Sequence, residues 1–139
     1  MSNEHLDAVC EIERLCFADP WSKNSLKMLT EGQGVGFVAL CNGIAVAYGG
    51  MICVCDEGQI TNIATDPQHR RKGLAKDILS ALTEYARENA IKEIFLEVRH
   101  SNSAAINLYT SFGFEVIGER KKFYSNPTED AVLMKITLD

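Results

Sequence analysis

The 139-residue sequence lacks a basic excess, a long apolar run, a paired-cysteine motif and both common nucleotide-binding glycine signatures. Fourteen Lys and Arg stand against nineteen Asp and Glu, a formal net charge of −5. General nucleic-acid binding draws on a basic surface, so no direct nucleic-acid partner is expected. No apolar stretch approaches the roughly 20 residues that span a bilayer. Met1 to Asp7 is polar and acidic, unlike a secretory leader. A cytoplasmic protein without a membrane partner is the expectation. The five cysteines include no Cys-x-x-Cys pair. Cys53 and Cys55 sit two apart in an extended run, poor geometry for a disulfide, so the thiols are read as free in a reducing compartment. No Cys/His set has zinc spacing, and no metal is expected. The absence of Gly-x-x-x-x-Gly-Lys-[Ser/Thr] and of Gly-x-Gly-x-x-Gly removes the Walker loop and the dinucleotide fingerprint.

What the chain has is a local concentration of positive charge, Asp66-Pro-Gln-His-Arg-Arg-Lys-Gly-Leu-Ala75. The apolar run Ile60 to Ala64 precedes it and an amphipathic pattern, Leu74 to Asn89, follows. This is a strand running through a basic turn into a helix. The first amides of a helix have no partner inside it, and the helix dipole adds partial positive charge there. Arg70, Arg71 and Lys72 add whole charges, and Gly73 removes a Cβ from the path of a ligand. The combination suits a phosphate or pyrophosphate. The plainer reading is a helix start with solvated Lys and Arg.

The remaining pattern is of one domain over residues 1–139, with 46% apolar and 24% charged residues. Helical spacing marks His5 to Cys16, and Ser22 is a candidate cap for a helix over Lys23 to Thr30, broken by Gly32, Gly34 and Gly36. Phe37–Leu40 and Ala45–Val54 read as strands joined by Asn42-Gly43, a hairpin signal. A turn at Asp56–Gly58 leads to a strand over Gln59–Thr65. After the long helix, Glu93–Val98 is a strand, which implies a crossover and a parallel pair. Asn102 or Ser103 can cap a helix carrying Ala105, Leu108, Tyr109 and Phe112 on one stripe, closed by Gly113. Glu115–Tyr124 and Ala131–Leu138 are the last strands, around a polar loop at Ser125–Asp130.

Arg70-x-x-Gly73-x-Ala75 matches the acyl-coenzyme A loop [Gln/Arg]-x-x-Gly-x-[Gly/Ala] of the GNAT superfamily of N-acetyltransferases. Asn62 to Pro67 before it, Leu96 to Asn102 after it, then Ala104 to Tyr109 and Phe112-Gly113-Phe114, stand in the family's order. With Pro20-Trp21-Ser22 the resemblance spans roughly residues 6 to 138, and the agreement of several motifs in structural context is the confirmation a motif needs. Within the family the chain resembles bacterial enzymes that acetylate the N-terminal alanine of a small-subunit ribosomal protein. The resemblance implies an α/β GNAT fold, a mixed, mostly antiparallel sheet of six to seven strands with helices on both faces. It implies direct acetyl transfer from acetyl-CoA to a protein N-terminal amine in a ternary complex, by a monomer or weak homodimer.

By the same resemblance, Glu97 is the general base and Tyr109 the general acid. Ile63, Ala64 and Thr65 offer strand backbone to the pantetheine. Arg70, Arg71, Lys72, Gly73, Leu74, Ala75 and Lys76 hold the pyrophosphate. Asn102 and Tyr109 also touch the cofactor. From the residues alone, Glu97 lies between Leu96 and Val98, where a carboxylate needs a partner, and Arg99 could be that partner. Tyr109 could be a core aromatic and Asn102 only a cap. His69 could assist the pyrophosphate loop but reads more as solvent-exposed, and His100 is a rival base ranked below Glu97 because it lies at or past the strand end. On the acceptor side the family uses Trp21, the stretch Glu31–Gly36 and the Ser125–Asp130 hairpin. Glu11, Glu13, Glu129 and Asp130 could attract a basic peptide or be ordinary surface charge. Only Met1 to Glu4 precede the first helix, so the family's N-terminal strand is expected to be truncated or absent, with the edge exposed or covered by a partner chain. A small-molecule amine or a Lys side chain as acceptor, and a non-catalytic acyl-CoA-binding subunit, remain alternatives.

Overall fold

The computed structural model describes residues 1–32 and 34–139. Six strands form one sheet: β1 (Gly34–Cys41), β2 (Ile44–Val54), β3 (Glu57–Thr65), β4 (Glu93–Arg99), β5 (Glu115–Tyr124) and β6 (Glu129–Thr137). Four α-helices accompany them: α1 (Leu6–Cys16), α2 (Lys23–Leu26), α3 (Leu74–Glu88) and α4 (Ser103–Ser111). The strand order is β1-β2-β3-β4-β6-β5, and only β3 and β4 pair in parallel. The crossover between them is α3.

Alternate residues of β2 feed two separate cores. Ala47 and Met51 join Ile78, Leu79, Leu82 and Ala86 of α3, with Ile94, Leu96 and Met134. Tyr48 faces Leu6, Val9 and Ile12 of α1, together with Leu26 and Leu29. The helices therefore cover both faces of the sheet, as the family fold requires. Each of the buried Leu, Ile, Val and Met side chains among them contributes about 1.5–3 kcal/mol of transfer free energy.

The hairpin between β1 and β2 turns on Asn42 and Gly43, at φ of 51° and 80°, the doubly left-handed geometry that Asn-Gly supplies. Elsewhere boundaries move. The helix expected to reach Thr30 ends at Leu26 and tightens into a 3-10 turn over Lys27–Leu29. Gly34 and Gly36, read as breakers, lie inside β1. A Cβ on Gly34 would stand 2.1 Å from the Met28 carbonyl oxygen, so these glycines let the strand press against that turn. The turn after β2 is Cys55–Asp56, with Cys55 at φ 54°, one residue earlier than the sequence pattern implies. Before α1, Asn3–His5 form a 3-10 turn, and the Met1 ammonium donates to the Gly36 oxygen of edge strand β1 at 3.0 Å.

Two features open the sheet at its centre. Between the pairs Gly49↔Ile63 and Met51↔Ile60, Gly50 faces both Thr61 and Asn62, a β-bulge in β3. Beyond Gln59↔Phe95 the β3–β4 pairing stops. The two strands then separate, leaving a cleft between residues 60–65 and 96–99.

Candidate active site

Two adjoining cavities fill that cleft. The first, about 510 Å³, is bounded by Glu97–Arg99 of β4, Ile60–Ile63 of β3, the loop Phe17–Asp19 with Trp21, and Tyr124, Asn126 and Pro127 of the β5–β6 hairpin. The second, about 490 Å³, runs along Ile63–Thr65 to Arg70, Arg71 and Gly73–Lys76, with α4 on its other side. Cys16, Phe17, Ile63, Asn102, Ala105 and Tyr109 line both and mark where they meet.

The second cavity ends on the basic loop. Asp66 caps the 3-10 turn Pro67–His69 by accepting from the Gln68 amide at 2.9 Å. Arg71 and Gly73 then adopt φ of 66° and 76°, which hands the chain to α3. No side chain caps α3, and a Cβ on Gly73 would meet nothing within 4 Å. Among the described residues, Arg70, Arg71, Lys72 and Lys76 have no carboxylate partner. An uncapped helix start, open space at its glycine and unpaired cations form an anion site. A pyrophosphate-bearing cofactor fits these residues. Upstream, Ile63–Thr65 pair with β2 on one side and with no strand on the cleft side, so their backbone is available for an extended ligand. Of the expected cofactor set, Ile63, Ala64, Thr65, Arg70, Arg71, Gly73, Leu74, Ala75, Lys76, Asn102 and Tyr109 line this cavity. Lys72 is exposed beside it. Asn102 does cap α4, accepting from the Ala105 amide at 3.2 Å, while also lining both cavities.

Glu97 borders the first cavity, and its Oε2 is buried without a hydrogen-bond partner. A buried carboxylate oxygen in that state is costly unless something else supplies the donor. Arg99, the alternative partner, is committed elsewhere. Its guanidinium donates to the Ser125 and Pro127 carbonyls at 2.8 and 2.9 Å, pairs with Glu129 at 3.3 Å, and stacks 4.5 Å from the Tyr124 ring centroid. Tyr109 is 7% exposed, its ring 5.7 Å from that of Phe114. Burial, helped by Tyr124, pushes its hydroxyl up to about 12, so it keeps its proton at neutral pH. Tyr124 is also pushed up to about 12, by burial first and the Glu97 charge second.

Several expectations need correction. His69 is half-buried rather than exposed, and its Nδ1 is buried without a partner at the second cavity. His100 is exposed, 4.0 Å from Glu119, and lines neither cavity. The stretch Glu31–Gly36 lines neither as well, because Gly34 and Gly36 belong to the far edge of the sheet; Gln33 lies outside the described residues. Of the four carboxylates considered for the acceptor, only Glu129 borders the first cavity. Glu11 pairs with Arg14, and Asp130 accepts from the Lys122 amide and the Lys121 ammonium. Glu13 is fully buried. Tyr124, Asn62 and Phe17 went unassigned in the sequence, because a cavity wall built from three distant segments leaves no local spacing signal.

An acetyltransferase (GNAT) family model matches residues 6–114. The [ribosomal protein bS18]-alanine N-acetyltransferase of Haemophilus ducreyi is 38% identical, across 92% of this chain and 90% of its own length. The Escherichia coli K12 enzyme of the same name is 33% identical, across 96% and 91%. The crystal structure of the ribosomal-protein-S18-alanine N-acetyltransferase from Escherichia coli superposes with a TM-score of 0.92 at 32% identity, covering 100% of this chain and 91% of that one. The chain belongs to the GNAT family of acetyltransferases.

Proposed function

We propose that this single-domain enzyme transfers an acetyl group from acetyl-CoA to the N-terminal alanine of a small-subunit ribosomal protein in the cytoplasm, within a ternary complex. The observation that carries the reading is the orphaned Glu97 oxygen at the first, acceptor-sized cavity, which adjoins the anion-binding one. The kind of acceptor rests on the printed names of the relatives, N-acetyltransferases of ribosomal protein bS18 alanine.

Bound acetyl-CoA supplies the thioester. The α3 start with Arg70 to Lys76 would hold its pyrophosphate, and the free edge at Ile63–Thr65 would align its pantetheine arm. Glu97 would take the proton that the acceptor amine loses as it bonds to the acetyl carbon, and among the described residues no cation pairs with Glu97. Tyr109, protonated at neutral pH and lining both cavities, would give its proton to the thiolate that leaves.

The test is a released-thiol assay with acetyl-CoA and a panel of acceptors: an alanine-initiated peptide copied from the bS18 N-terminus, a polyamine, and an N-terminally blocked lysine peptide. The alanine peptide is expected to react fastest. An inert alanine peptide beside a reactive small amine would refute the acceptor assignment.

A further inference from the structure

Glu13 is 0% exposed, and its carboxylate serves three partners on three elements. The Trp21 amide donates to Oε1 at 2.8 Å and the Tyr48 hydroxyl to Oε2 at 2.6 Å. The Asn62 side-chain amide donates to both oxygens, at 3.2 and 3.1 Å. Burial raises the Glu13 carboxyl pKa, and these donors oppose that shift. A buried, fully bonded carboxylate is weak evidence for stability, since apolar packing of the same volume does as well or better. Its partners point to another purpose. Trp21 and Asn62 both line the first cavity, one from the α1–α2 loop and one from β3. Asn62 reaches Glu13 because it shares the α1 side of β3 with Ala64, two residues on.

The amide orientation follows from chemistry. A carboxylate offers only acceptors, so Asn62 must present its NH₂ to Glu13. Its Oδ1 is then the atom left for a ligand. We propose that Glu13 is a positioning residue for the acceptor: it ties the Trp21 loop to β3 and fixes Asn62 with its amide oxygen free to receive an N–H of the incoming amine. This rests on the reading of the first cavity as the acceptor site, and it adds a reason why that cavity favours a hydrogen-bond donor.

Trp21 is the sole tryptophan of the sequence, so intrinsic fluorescence reports on its loop without any acceptor. Glu13→Gln places an NH₂ against that of Asn62, which must turn over or withdraw. In this variant, folded by circular dichroism, acrylamide quenching of Trp21 is expected to rise by about twofold. The KM for the alanine peptide is expected to rise by roughly tenfold, while kcat and the calorimetric affinity for acetyl-CoA change by less than about threefold, the size of one charge-assisted hydrogen bond felt at the acceptor alone. Asn62→Ala, changed from the cavity side, is expected to give the same KM rise with quenching unaltered. Tyr48→Phe removes the third bond away from the cavity; it is expected to lower the melting temperature and leave quenching and peptide KM within about twofold.

Unchanged quenching both in folded Glu13→Gln and in folded Glu13→Leu, which removes every acceptor of the Trp21 amide, would overturn the claim that Glu13 holds the loop. An unchanged peptide KM in Asn62→Ala would overturn the claim that Asn62 meets the amine, and it stands even if Glu13→Gln fails to fold. Parallel losses in peptide KM, kcat and acetyl-CoA affinity in Glu13→Gln would mark a merely structural role. A wild-type enzyme inert toward the peptide would refute the acceptor reading instead, with the quenching result still deciding the role of Glu13.

Discussion

Arg99→Ala should loosen the β5–β6 hairpin and, through it, the acceptor cavity. The guanidinium is the fastening of that hairpin: it donates to the Ser125 and Pro127 carbonyls at 2.8 and 2.9 Å and stacks on Tyr124 at 4.5 Å. Hydrogen bonds to a charged group are each worth about 1.5–3 kcal/mol in a dry setting, and the stack about 0.5–1 kcal/mol. The Arg99 side chain is 27% exposed, so water recovers part of this, and a net loss of about 2–3 kcal/mol is reasonable. That is well below the 5–15 kcal/mol of a typical fold, so the variant should still fold. At about 2–4 °C per kcal/mol for a chain near this size, the melting temperature should fall by roughly 4–12 °C. Amide hydrogen exchange should accelerate at Tyr124 and Glu129, the pair that closes the hairpin, and on the proposed function the peptide KM should rise more than kcat falls. Arg99→Lys should fall between the two, since an ammonium keeps the charge and loses the fork that bonds two carbonyls at once. A variant with an unshifted melting temperature and unchanged exchange at Tyr124 and Glu129 would refute the reasoning.

Two further outcomes follow from other parts of the structure. With its hydroxyl pushed up to about 12, Tyr109, the proposed acid, stays protonated throughout the working range. The pH profile of kcat/KM should therefore rise as the acceptor amine deprotonates near about pH 8 and show no falling limb below about pH 10. A falling limb near neutrality would argue against Tyr109 as the acid. Gly49→Ala should destabilise by about 1–3 kcal/mol, read by thermal denaturation, because the added Cβ would lie 2.4 Å from Ile78 Cγ2 between sheet and α3.

The elements that the sequence declared were those written in local chemistry. The helical spacing from His5 to Cys16 announced α1, Asn42-Gly43 announced the first hairpin, and the pair Asn102 or Ser103 announced the start of α4, where Asn102 is the cap. The basic turn at Arg70–Gly73 was legible because charge, glycine and helix start are contiguous. Features made by distant segments were not legible. Gly34 reads as a breaker until Met28 is seen pressed against it. Glu13 reads as surface charge on a helix until Trp21, Tyr48 and Asn62 are seen converging on it. His69 reads as a solvated loop residue until its Nδ1 is found buried beside the cleft. The bulge that opens β3 from β4 depends on Gly50 facing two residues, a matter of register that no single strand records.

Glu97 and Tyr109 carry the central claim, and the direct measurement is single-turnover acetyl transfer to an alanine-initiated peptide at saturating acetyl-CoA. Glu97→Gln and Tyr109→Phe should each slow the step by about a hundredfold or more, the size expected of a lost base or acid, while acetyl-CoA affinity measured by calorimetry stays near wild type. Transfer at the wild-type rate in both variants would contradict the account.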